Sequence, residues 1–296
     1  MPIESLLKLR ILSFVLLASV AACAPAARTA DPAVAAPKPH GNAVADPTPV
    51  VTMAAAPKPR AGAVADPTVA APRDAGWLRR HAGYLEEARK GPYDVIFLGD
   101  SITDGWHGGG RPIFNQCYAP LHTLNLGISG DQTQHVLWRL DHGEVDGLKP
   151  KVVVLMNGTN NRANTPANIA RGVSAVVADL RRRLPDSKIL LLAIFPRSAD
   201  PHDPLRAKMA EANAAIAKLD DGKHVKFLDI GKAFLNDQGT ITKEVMRDGL
   251  HPSTYGYVLW AKAMNPTLAE MLGEKIAEPT MPPPAPQKPA KNDKAK

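Results

Sequence analysis

Short apolar runs punctuate the middle of the chain: "DVIFLGD" at 94–100, "HTLNLG" at 122–127, "KVVVLMNG" at 151–158, "KILLLAIFP" at 188–196 and "VKFLDI" at 225–230. Most are continuous rather than alternating, which suits strands covered on both faces. Between them "QTQHVLWRLDHG", "NIARGVSAVVADLRRRLP" and "PLRAKMAEANAAIAKLD" space their apolar residues as helices do, and Pro185 ends the second. A last helical stretch, "STYGYVLWAKAMNPTLAEML", contains Pro266, which predicts a kink or break there. Strands and helices in strict alternation predict parallel strands joined by right-handed crossovers. The expected domain is a three-layer α/β/α sandwich around a central, mostly parallel five-stranded sheet.

This pattern is confined to 74–273 of the 296 residues. Ahead of it alanine and proline dominate, and "AAPKPHGNAVADPT" at 35–48 returns as "AAPKPRAGAVADPT" at 55–68. With little that is large and apolar to bury, and with prolines that favour extended backbone, 23–73 reads as a disordered, semi-rigid spacer. The Pro- and Lys-rich 274–296 reads as a disordered tail. At the very start, Lys8 and Arg10 precede an apolar run from Ile11 to Ala22, followed by small residues. Too short to span a bilayer comfortably, 1–22 has the three-part form of a secretory signal. Its end, "VAAC", resembles the lipobox of bacterial lipoproteins, in which the cysteine becomes the lipidated first residue. Cys23 is therefore the expected lipidation site, and a lipid anchor would hold the protein at a membrane. Ala24 resembles the sorting signals that favour the outer membrane, facing the periplasm.

The formal charge of +7 changes this picture little, because part of it lies in the tail "QKPAKNDKAK" and in the leader. Inside the domain, basic residues take helix-surface positions such as "LRRRLPDSK", with no aromatic-interleaved basic motif, so no nucleic-acid partner is expected. With Cys23 acylated only Cys117 remains, which excludes an intrachain disulfide in the mature chain. Cys117, in "FNQCYAPL", reads as a small buried apolar residue. No His or Cys set has metal-ligand spacing, and neither metal nor cofactor is expected.

Candidate chemistry clusters just after the strands. Ser101 follows the first, Gly130 the second and Asn160 the third, while Asp248 and His251 precede the last helix. In open parallel sheets the ligand site forms at the carboxyl ends of the strands, so these four segments are expected to meet. A serine hydroxyl becomes a nucleophile only when a base takes its proton and a third group orients that base. In "RDGLHP" Asp248 and His251 are three apart, a spacing at which one turn can carry a carboxylate to an imidazole. Asp100 and Asp131 are expected to hydrogen-bond backbone in the strand-end loops, and "HGGG" at 107–110 to form a flexible rim.

In this order "GDSITDGW", "NLGISGDQT", "NGTNN" and "DGLHP" resemble the four conserved blocks of the GDSL or SGNH hydrolases. Within that superfamily "PRSADPHDPLR" and "DGLHPSTYGY" add a likeness to the catalytic subunits of intracellular platelet-activating factor acetylhydrolase, covering 77–272. The resemblance implies a flavodoxin-like SGNH fold with Ser101 as nucleophile, His251 as general base and then acid, and Asp248 as the orienting carboxylate. It also implies an oxyanion hole of the Ser101 and Gly130 backbone N–H groups and the Asn160 side-chain amide. The implied activity is hydrolysis of short-chain O-esters, acetyl above all, through an acyl-enzyme. The partner would be a small acyl ester, and an exported setting points to an acetylated glycan. Two alternatives stay open: a lysophospholipase or thioesterase acting on longer acyl chains, and a non-catalytic carbohydrate-binding lipoprotein. Ile102, where the family name has leucine, keeps an apolar residue.

Overall fold

The computed structural model describes residues 64–283. The expected signal peptide at 1–22, Cys23, the spacer up to 63 and the tail from 284 lie outside the described residues. All five expected strands form: β1 (Val95–Gly99), β2 (Thr123–Gly127), β3 (Val152–Met156), β4 (Lys188–Leu192) and β5 (Val225–Leu228). They make one sheet in the order β2-β1-β3-β4-β5, and every pairing is parallel.

The seven α-helices among the described residues are α1 (Ala75–Ala88), α2 (Ser101–Asp104), α3 (Arg111–Cys117), α4 (Thr133–Asp141), α5 (Pro166–Arg183), α6 (Pro204–Ile216) and α7 (Thr254–Leu272). Successive strand side chains point to opposite faces. Ile96 and Leu98 therefore enter one core with Trp77 of α1, Val136 of α4, Val173 of α5 and Met209 of α6. Val95 and Phe97 enter another with Ile113 of α3 and Trp260 and Met264 of α7. Covered on both sides, β1 and β3 are buried at every position, which is why their sequences are continuously apolar.

Helix α1 does not announce itself in the apolar pattern. Asp74 caps it by accepting from the N–H groups of Gly76 and Trp77, and only Trp77, His81, Tyr84 and Ala88 are buried. At Pro266 the structure corrects the expectation of a break, since α7 runs through it from Thr254 to Leu272. Val258, Ala261, Met264 and Leu268 bury one face of that helix on both sides of the proline, and this packing outweighs the hydrogen bond the proline forfeits.

The packed chain also reaches beyond the expected domain edges. Asn164 Nδ2 donates to the Ala65 carbonyl (3.0 Å), Thr133 Oγ1 to that of Pro67 (2.7 Å), and the Ala71 N–H to that of Gln134 (3.1 Å). The stretch from Val64 to Arg73, expected to be disordered spacer, thus lies against the α4 and α5 side because its backbone finds partners there. After Gly273 the chain continues along α3, where the Thr280 N–H donates to Gln116 Oε1 (3.1 Å).

The register matters for the site. Gly99 pairs with Gly127 on one side and Met156 on the other, so β1, β2 and β3 end at one level. A Cβ on Gly127 would fall 2.2 Å from the Asp104 nitrogen, so glycine there lets α2 rest directly on the end of β2.

Candidate active site

Ser101 is the first residue of α2, immediately beyond β1. Asp100 caps this short helix, its Oδ1 accepting from the Ile102 N–H at 3.0 Å. Across the site, the Ser101 Oγ and His251 Nε2 are 2.9 Å apart, and His251 Nδ1 and Asp248 Oδ2 are 2.6 Å apart. The other Asp248 oxygen accepts from the N–H groups of Leu250 (3.0 Å) and His251 (2.8 Å), closing the turn that holds carboxylate and imidazole together. Gly249, at φ +70°, supplies the left-handed residue that this turn needs. Partial burial works against charge on Asp248, but those backbone N–H groups and the imidazole prevail and hold its carboxyl at about 2. An ionised Asp248 accepts from Nδ1–H, which leaves Nε2 to accept from the serine hydroxyl.

The residues expected to form an oxyanion hole follow the ends of β1, β2 and β3. As the first residue of a helix, Ser101 has an N–H without an intrahelical acceptor. Gly130 follows β2 at φ +82°. Asn160 sits in the single 3₁₀ turn Thr159–Asn161 after β3. Its Nδ2 donates one hydrogen to the Asp131 carbonyl (2.9 Å) and has a second to offer, while its own carbonyl accepts from Gln132 Nε2 (2.8 Å). Arg197, from the loop after β4, donates to the Thr159 carbonyl (3.0 Å) and Oγ1 (3.1 Å). The loops after β2, β3 and β4 are thereby stitched to one another.

Behind them lies a buried charge cluster that sequence reasoning missed. Arg139 of α4 is fully buried, although basic residues are expected on helix surfaces. It donates to the Leu126 carbonyl (2.7 Å), the Gly99 carbonyl (3.3 Å) and Glu144 (2.6 Å), and its Nε lies 3.0 Å from Asp131 Oδ2. Asp131 also accepts from Trp77 Nε1 at 2.6 Å. Its carboxylate thus serves side chains, against the expected role of bonding loop backbone, because Arg139 and Trp77 both reach it. Burial pushes the Asp131 carboxyl up to about 6 against the pull of Arg139. Burial likewise pushes Asp100 up to about 7; its Oδ2 has no hydrogen-bond partner.

Ser101 and His251 open into a cavity of about 510 Å³ whose walls include Arg80, Asp104, His107 and Ser129. Arg80 Nη2 and Ser129 Oγ both donate to Asp104, each at 2.6 Å. Gly108 and Gly109 of the glycine run line this cavity. A Cβ on Gly110 would fall 2.7 Å from Trp106 and 2.8 Å from Tyr257, and Thr254 Oγ1 donates to the Gly109 carbonyl at 2.9 Å. Cys117 is buried away from the cavity, its thiol pushed up to about 11 by that burial. Among the described residues no group of His, Cys, Asp or Glu is placed to hold a metal ion.

A parallel sheet layered between helices, with a hydrogen-bonded Ser–His–Asp chain at its carboxyl edge, is the arrangement of a serine hydrolase. Residues 97–259 match the GDSL-like Lipase/Acylhydrolase family. The chain is 35% identical over 202 residues to platelet-activating factor acetylhydrolase IB subunit alpha1 of Homo sapiens, covering 68% of this chain and 86% of that protein. To the alpha2 subunit of Rattus norvegicus it is 37% identical over 206 residues, with coverages of 69% and 89%. A solved GDSL-like lipase from Bacteroides thetaiotaomicron shares the fold at 18% identity and a TM-score of 0.53, covering 64% of this chain and 97% of that one. The chain belongs to the GDSL-like lipase/acylhydrolase family and is an ester hydrolase of that type.

Proposed function

We propose that this enzyme removes short acyl groups, acetyl above all, from O-esters through an acyl-enzyme on Ser101. The observation that carries the reading is the continuous hydrogen-bonded chain from Ser101 Oγ through His251 to Asp248. In this reading His251 Nε2 takes the hydroxyl proton as Oγ attacks the ester carbonyl. Negative charge developing on the carbonyl oxygen is met by the N–H groups of Ser101 and Gly130 and the Asn160 amide. The imidazolium, stabilised by ionised Asp248, returns the proton to the departing alcohol. Water then enters, His251 takes its proton, and hydrolysis of the acyl-enzyme regenerates Ser101.

Two features support the substrate class. The relatives at 35% and 37% identity are named acetylhydrolases, which favours a small acyl group. The cavity beside Ser101 is walled by Arg80, Asp104, His107 and Ser129, side chains that suit a hydroxyl-rich leaving group such as a glycan. The test is hydrolysis of p-nitrophenyl esters from acetyl to octanoyl by the full chain, with Ser101→Ala beside it. Fastest release from the acetyl ester, lost in the variant, is expected. A preference for octanoyl would move the enzyme to the lysophospholipase or thioesterase class, and no serine-dependent release would leave a binding protein.

For location we propose acylation at Cys23 and an outer-membrane anchor facing the periplasm, supported by the leader sequence alone. Incorporation of labelled palmitate into the wild type, absent in Cys23→Ala, is the expected result. Unlabelled wild-type chain would overturn it.

A further inference from the structure

Arg73 lies outside the residues 97–259 that define the family match, at the end of the packed stretch ahead of α1. Its Nη1 donates to the Ser129 carbonyl at 2.8 Å and lies 3.4 Å from Asp131 Oδ1, with the side chain 30% exposed. The Ser129 carbonyl belongs to the same peptide unit as the Gly130 N–H. A peptide unit is planar and its C=O and N–H point in opposite directions when trans, so holding the oxygen from behind aims the hydrogen forward.

That unit needs holding. Gly130, at φ +82°, has no Cβ to resist rotation of the peptide before it. A Cβ there would fall 3.0 Å and 3.2 Å from the two Arg73 Nη atoms, so the guanidinium occupies the space any side chain would take. The hydrogen bond is charge-assisted, and a polarised carbonyl makes its own N–H a better donor. Asp131, whose backbone carbonyl accepts from the Asn160 amide, is paired with the same guanidinium. One side chain therefore stands behind two of the three oxyanion donors. The stretch that delivers it is fixed by hydrogen bonds at Ala65, Pro67 and Ala71.

We propose that Arg73 is a positioning residue of the oxyanion hole, making the stretch from Val64 to Arg73 part of what sets the turnover rate. This rests on the esterase reading above. The test measures kcat and KM for p-nitrophenyl acetate, inhibition by ethaneboronic acid and the thermal midpoint, on full-length wild type, Arg73→Ala and Arg73→Lys. The alanine variant is expected to lose about 10- to 100-fold in kcat with KM within about twofold, less than the loss of a whole oxyanion donor. Boronate affinity should fall in parallel, because the tetrahedral adduct needs the same N–H. Lysine, which can still donate to the Ser129 carbonyl, should restore most of kcat.

Unchanged kcat in Arg73→Ala overturns the proposal, as does a raised KM at constant kcat, which would make Arg73 a leaving-group contact. A kcat loss that follows a fallen thermal midpoint and is not rescued by lysine also overturns it, as a general structural effect. A wild type without serine-dependent hydrolysis would instead defeat the esterase reading on which the proposal stands.

Discussion

The Ser101 hydroxyl and the His251 Nε2 stand 2.9 Å apart although 150 positions separate them in the chain. The contact exists because β1 delivers the serine to the carboxyl edge of the sheet and the Asp248 turn carries the imidazole over it. Its chemical consequence is testable by deletion. Ser101→Ala and His251→Ala should each lower kcat by about four or more orders of magnitude on p-nitrophenyl acetate while leaving the fold intact. A variant within tenfold of wild type in stopped-assay turnover would mean that the hydrogen bond is incidental.

The acid limb of the activity profile should belong to one imidazole proton. Asp248, held at about 2, stays ionised far below neutrality, so it cannot supply that limb. Protonation of the imidazole removes the acceptor for the serine hydroxyl. A profile of kcat/KM against pH should therefore fall on acidification with a slope of one. A flat profile from pH 8 to 5 would contradict His251 as base.

Asn160→Ala removes a donor without opening a core, since the side chain is only partly buried and its Nδ2 makes one hydrogen bond, to the Asp131 carbonyl, among the described residues. Turnover should drop about 10²–10³-fold with KM little changed and the melting curve preserved. Full activity in this variant would remove Asn160 from the oxyanion hole.

Asp100 should make stability depend on pH. Its folded carboxyl, pushed up to about 7 by complete burial, keeps a proton that the unfolded chain releases above about pH 4. The folded state therefore binds more protons between those values, and stability falls as pH rises through that window. Asp100→Asn keeps a side-chain oxygen to cap α2 and abolishes the titration. Its melting temperature should exceed the wild type's at pH 8 by more than at pH 5, measured by calorimetry. Equal differences at the two pH values would show that Asp100 is not the group concerned.

Much was legible before folding because it is local. Five short apolar runs, most of them continuous, mark the five strands, and the three-residue step from Asp248 to His251 already limits the pair to one turn. What escaped legibility depends on how the chain packs. The surface-like arginine of "VLWRLDHG" is buried because Leu126, Gly99, Glu144 and Asp131 converge on it. Pro266 is tolerated because both sides of it are packed.

The amino-acid sequence by itself determined the alternation of strand and helix, the identity of the polar residues placed after each strand, and through its four blocks the family. Only the tertiary structure decided that Arg73 reaches the Ser129 carbonyl and that Asp131 serves Arg139 and Trp77. The reason is physical. Periodicity and turn chemistry act between neighbours and leave a trace in composition and spacing. A buried charge is stabilised by whichever distant carbonyls and side chains the crossovers bring to it, and those crossovers leave no such trace.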